Sequence, residues 1–137
     1  MDYQQWIGKP WTSLDTPALC VDLDTLQRNI DRMAALARDA GVSLRPHIKT
    51  HKCPQIAQML LAAGADGITC AKVSEAEVMV DAGITDILIA NQIMGMFKIQ
   101  RLVSLAKRSQ LTVAVDHADN VAMLSQEAER AGVTIGV

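Results

Sequence analysis

Hydrophobic and polar positions along this chain switch between periods of about 2 and about 3.6 residues, the repeats that separate strands from helices. Residues 18–21 are a short apolar run stopped by Asp22, the first expected strand. Asp24 with Gln27 three residues on makes a capping-box pattern, and Leu26, Ile30, Met33, Ala37 and Ala40 then recur at helical spacing until Gly41. Residues 42–48 read as a second strand. Pro54 opens the next helix where no amide donor is missed, and Ile56, Ala57, Leu60 and Leu61 carry its apolar face as far as Gly64. A third strand is expected over 67–71, and Ser74 with Glu77 makes a second capping box. Strands over 86–90 and 111–115 then alternate with a helix over 98–108 and one whose Val121, Leu124, Ala128 and Ala131 share a face. Residues 134–137 begin a sixth strand.

Strand starts recur about every 20 to 25 residues, with glycines marking helix ends at Gly41, Gly64, Gly83 and Gly132. That rhythm predicts an α/β chain forming the N-terminal part of a (β/α)8 TIM barrel, about five β/α units plus the start of a sixth strand. Because a whole barrel takes about 250 residues, the remaining strands and any second domain are expected beyond Val137. Residues 1–15 form an irregular leader and 16–137 the partial barrel. In the leader, Trp6 and Trp11 suit covering one end of the core, or alternatively a lid or an oligomer contact. The competing fold is a complete doubly wound sheet of flavodoxin type, against which stands the lack of a glycine-rich phosphate loop after any strand.

With 137 residues, half of them hydrophobic, the chain can bury a real core. A net charge of −2 and 3% aromatic residues give no footprint for nucleic acid, and no stretch approaches the roughly 20 apolar residues of a membrane span. Three cysteines without metal-binding spacing, and a polar start unlike a signal peptide, lead us to expect a reduced, cytoplasmic setting.

Chemistry concentrates in Arg45-Pro46-His47-Ile48-Lys49-Thr50-His51-Lys52, a basic junction between strand and helix. Strand alternation puts Arg45, His47 and Lys49 on one face and Leu44, Pro46 and Ile48 on the other. A lysine desolvated among other cations favours its neutral form, which attacks aldehydes. Elsewhere, Glu75 and Glu77 suit first-turn acids facing a helix dipole rather than catalysts. Asn91 and Gln92 end a strand where they reach a ligand or merely bond the turn. Asp116 either faces a lumen or caps the last helix, the cap being favoured, and His117 has no partner at metal-ligand spacing.

Three blocks carry a resemblance: Thr16-Pro17-Ala18-Leu19-Cys20-Val21-Asp22-Leu23-Asp24, the 45–52 stretch, and Cys70-Ala71-Lys72-Val73-Ser74-Glu75-Ala76-Glu77. Together they resemble the D-threonine aldolase and D-serine dehydratase group of the alanine-racemase-like, fold-type III enzymes that use pyridoxal phosphate. The resemblance implies that Lys49 carries the cofactor as a Schiff base, with His47 and His51 lining the cofactor site. It also implies a small D-amino acid substrate, lyase chemistry, and a divalent metal, zinc or manganese, held only in a C-terminal part. No metal ligand is expected within this chain, and a homodimer is compatible with the reading. An amino-acid racemase and a non-catalytic pyridoxal-phosphate-binding barrel protein are the alternatives.

Overall fold

The computed structural model describes residues 4–137, so the first three residues of the expected leader lie outside it. Its centre is a parallel sheet of β1 (Ile68–Cys70), β2 (Asp86–Gln92) and β3 (Gln110–Ala114), in sequential order. Ile68 pairs with Ile87 and Ile87 with Leu111, so apolar residues fall in rows across the sheet. Ile68, Cys70, Ile87, Ile89, Leu111 and Val113 are all buried. Against them pack Ala76 and Met79 of α3 (Val73–Asp81), Ile99 and Leu102 of α4 (Met96–Ala106), and Leu124 of α5 (Ala118–Ala131). Fully burying one such side chain stabilises by about 1.5–3 kcal/mol, which is why these rows define the fold. The register sets His47, Thr69, Leu88 and Thr112 in one row.

Two further segments extend the sheet without becoming regular strands. His47 bridges to Thr69 in parallel, backed by Ile48 N–H to Thr69 O at 2.9 Å and Thr69 N–H to Pro46 O at 2.8 Å. Pro46 has no N–H to donate, which limits this ladder. At the far side Thr112 bridges to Gly136. The expected strand over 18–21 does not form: Leu19 is 88% exposed, and four residues bury too little to offset the entropy of ordering them. No order reversal interrupts the sheet, unlike the flavodoxin arrangement.

The helices are close to expectation, but three of their caps differ. α1 (Leu23–Ala40) is capped by Asp22, whose Oδ1 accepts from Thr25 N–H at 2.7 Å, while Gln27 bonds Asp31 instead of closing a box on Asp24. Gly41 ends α1 at φ 64°, the left-handed stop that glycine adopts at little cost. α2 spans Pro54–Ala62 with proline at its start. α3 starts at Val73, two residues too early for Ser74 to cap it, and His117 rather than Asp116 caps α5, accepting from Asp119 N–H at 3.2 Å. Trp11 is 75% exposed, and Trp6, half-buried with the Lys9 ammonium over its ring, does not pack against the core cluster.

The foot of the sheet holds a clamp. The Arg45 guanidinium donates to both carboxylate oxygens of Asp86, at 2.8 and 2.9 Å, and lies over Gly67. A Cβ on Gly67 would sit 2.1 Å from Arg45 Nη1 and 2.7 Å from the Asp86 carbonyl oxygen. We therefore expect Gly67→Ala to displace the guanidinium and lower stability by about 1–3 kcal/mol. An unchanged urea midpoint would show that the strands part without strain.

Candidate active site

Parallel strands deliver polar side chains where they end, and here those ends lie in the order Lys49, Ala71–Lys72, Asn91–Gln92, Asp116. Lys49 follows the fully buried Ile48 and belongs to a tight turn closed by Lys52 N–H donating to Ile48 O at 2.8 Å. Its own N–H donates to His47 Nδ1 at 3.2 Å. Its side chain is exposed, and among the described residues no hydrogen bond or ion pair engages its ammonium group.

The other cations of the stretch are engaged. Arg45 is at the opposite end of the sheet, bound to Asp86, and Lys52 Nζ lies 3.4 Å from Glu75 Oε1. The expected desolvated row of Arg45, His47 and Lys49 is thus corrected. Arg45 reaches an acid across the sheet, because a half-buried guanidinium is stabilised by a bidentate partner.

Each imidazole near Lys49 accepts a backbone N–H at Nδ1: His47 from Lys49, and His51 from Cys53 at 3.1 Å. In the neutral ring the proton is therefore on Nε2. The two histidines line a largely apolar cleft of about 320 Å³ with Leu26, Ile30, Ile56 and Leu60 of the flanking helices. His51 Nε2 is buried there with no partner among the described residues, and burial lowers the pKa of His51 below the ordinary 6.5. Lowering favours the neutral folded form, so the unfolded chain binds more protons below that value and stability falls as pH drops through it. His51→Gln should flatten this loss. Urea midpoints for both proteins at several pH values between neutral and mildly acidic check it; parallel curves would refute it.

The rim beyond Lys49 is polar. β2 and β3 slip register between Ile89 and Gln92, and such bulges re-aim side chains beside sites. Asn91 Nδ2 donates to Ala71 O at 3.3 Å, and Gln92 Nε2 donates to Asp116 Oδ2 at 3.1 Å. Asp116 therefore faces the rim, against the helix-cap expectation. A carboxylate, two amides and a free amine make a surface able to hold a small zwitterion through its polar groups. Neither this bulge nor the burial of Glu75 was read from the sequence. For Glu75 a signal existed: with Val73 as first helical residue, it takes the third position, from which acids reach back to amides before the helix.

Cys70, beneath the rim, is unreactive: burial, then the charge of Glu75, pushes its thiol up to about 12. The described cysteines are all free. Among the described residues no group of three or more His, Cys, Asp or Glu side chains could hold a metal, and no helix is long and apolar enough to cross a membrane.

Comparison with known proteins places the chain in a family. D-threonine aldolase of Arthrobacter sp. is 46% identical over 130 residues, covering 95% of this chain and 34% of that protein. D-threo-3-hydroxyaspartate dehydratase of Delftia sp. (strain HT23) is 53% identical over 78 residues, covering 57% of this chain and 20% of that protein. The crystal structure of D-threonine aldolase from Filomicrobium marinum matches with a TM-score of 0.87 at 51% identity, over 89% of this chain and 33% of that one. The chain thus spans about a third of the length of these aldolases. Residues 21–137 match the alanine racemase N-terminal domain, and the chain belongs to that family, alongside D-threonine aldolases and D-3-hydroxyaspartate dehydratases.

Proposed function

We propose that this chain is the lysine-bearing part of a pyridoxal-phosphate-dependent lyase acting on D-β-hydroxy amino acids, with Lys49 as its cofactor-bearing residue. The observation that carries the reading is the unengaged amine of Lys49 at the carboxyl end of a parallel sheet, while Lys52 and Arg45 are both paired. The family implies pyridoxal phosphate, and the residues present fit it: a free primary amine is what an aldehyde cofactor needs. When bound, the cofactor supplies an electron sink for breaking a bond at the substrate's Cα.

Lys49 would hold that cofactor through Nζ, and its amine would be placed to take or return a proton at the substrate's Cα. His47, tied to the Lys49 amide, orients the start of the turn. Asn91, Gln92 and Asp116 would receive the polar groups of the amino acid, Asn91 held by donating to Ala71 O and accepting from Gln92 N–H, and Gln92 by donating to Asp116. His51, facing the cleft between α1 and α2, is assigned a supporting place against the cofactor turn rather than contact with substrate. A D-threonine aldolase reading ranks before a dehydratase one, because over nearly the same share of the chain the aldolase structure matches at 51% identity and a TM-score of 0.87, against 39% and 0.82 for a D-threo-3-hydroxyaspartate dehydratase structure. We further propose that the sheet is the first part of a (β/α)8 barrel, and that the ligands of a divalent metal lie outside the described residues.

Incubation with pyridoxal phosphate, reduction with borohydride and peptide mass mapping tests the central assignment. The expected adduct is on the peptide holding Lys49; label spread evenly over Lys9, Lys72, Lys98 and Lys107 would reject it.

A further inference from the structure

We infer that Glu75 is a positioning residue for Lys49, acting through Lys52; this rests on the reading of Lys49 as cofactor-bearing. Glu75 is an acid on the first turn of α3, where an exposed carboxylate would suffice to complement the helix dipole, as Asp24 and Asp119 do on α1 and α5. Instead it is only 7% exposed. Burying a carboxylate is unfavourable unless both oxygens are met, and both are. Oε2 accepts from Ala71 N–H at 2.8 Å, and Oε1 lies 3.4 Å from Lys52 Nζ.

Lys52 is itself unusual. Among the described residues it is the non-glycine residue with positive φ, at 49°, a conformation that L side chains rarely adopt. Two contacts hold it there: its N–H bond to Ile48 O and its ammonium against Glu75. The turn bearing Lys49 therefore has two anchors, and both lead to one strand. Ile48 is tied to Thr69 within β1, and Lys52, through Glu75, to Ala71 directly after it. Without the second anchor the turn keeps only its ties at Ile48 and His47, and the direction of Lys49 is set less firmly.

Glu75→Gln, Lys52→Gln and the double variant test this. In Glu75→Gln the side-chain amide oxygen still accepts from Ala71 N–H, so the charge contact with Lys52 is what is lost. Two readouts are compared: the rate of borohydride-trapped labelling at Lys49, and hydrogen exchange of the backbone amide at position 52. Each single change should slow labelling and speed exchange by about fivefold, the scale of one ion pair with an exposed partner. The double variant should be no worse than either single, since both remove the same contact. Multiplying losses, or wild-type labelling and exchange in Glu75→Gln, overturn the inference. Should Glu75→Gln not fold, the exposed Lys52→Gln gives the same readouts, and wild-type values there overturn it equally. If the unaltered chain shows no selective label at Lys49, the cofactor reading fails instead. Exchange then decides alone, with unchanged protection at position 52 in the variants refuting the anchor and faster exchange supporting it.

Discussion

Replacing Lys49 with alanine is expected to bring the pyridoxyl label on the 45–52 peptide down to the background of ordinary surface lysines. An amine held beside a bound aldehyde reacts at an effective concentration far above its bulk value, so selective label at Lys49 should exceed that at Lys98 or Lys107 by about 100-fold or more. Lys49→Arg separates charge from chemistry: the guanidinium keeps the cation but is not a competent amine, and it should lose the label as fully as alanine does. The neighbouring Lys52 is a stringent internal control. It lies three residues away, yet its ammonium contacts Glu75, so it should not take over the label when Lys49 is removed. Mass mapping of all three proteins gives the answer. Persistence of strong label in Lys49→Ala, transferred to Lys52 or Lys72, would mean that the rim binds the cofactor without a dedicated lysine.

The second large effect concerns stability. Ile48 is completely buried, packs in the core cluster with Ile68 and Ala57, and immediately precedes Lys49. Truncation to alanine removes three carbons from a packed site and leaves a cavity that neighbours fill only in part. A loss of about 2–5 kcal/mol is expected. Because Ile48 N–H and C=O also tie the turn to Thr69 and Lys52, the same change should loosen the site. Ile48→Val, which removes one methylene, should cost only about 0.5–1.5 kcal/mol and leave Lys49 labelling intact. Denaturant titrations of the three proteins measure the first claim, and labelling the second. Equal midpoints for Ile48→Ala and the unaltered chain would refute the packing argument.

The particular elements explain where sequence reading succeeds. α1, α2, α4 and α5 lie within two residues of the expected positions because their apolar residues repeat at helical spacing and glycines such as Gly41 and Gly132 mark the stops. β2 and β3 follow from Ile87, Ile89, Leu111 and Val113, whose alternation permits only one buried face. The family was likewise visible, through the likeness of the 45–52 stretch and its flanking blocks.

The misses share a cause. Residues 18–21 have strand composition, but a strand exists only when another backbone pairs with it, and composition does not supply the partner. Helix caps depend on where the first helical residue falls; a shift of two residues moved the role from Ser74 to the backbone of Lys72 and turned Glu75 inward. Arg45 reads as a neighbour of Lys49 at a separation of four residues, yet its partner Asp86 is 41 residues away and draws it to the opposite end of the sheet.

By itself, then, the sequence determined an α/β chain, its helix positions, its family and the lysine on which function is proposed to turn, because these depend on local periodicity and on a short contiguous motif. The tertiary structure decided which cations stay free, which imidazole nitrogen is buried, how Asn91, Gln92 and Asp116 meet, and that Glu75 braces the turn of Lys49. Those outcomes depend on distances between residues remote in the chain, which only the packed sheet sets.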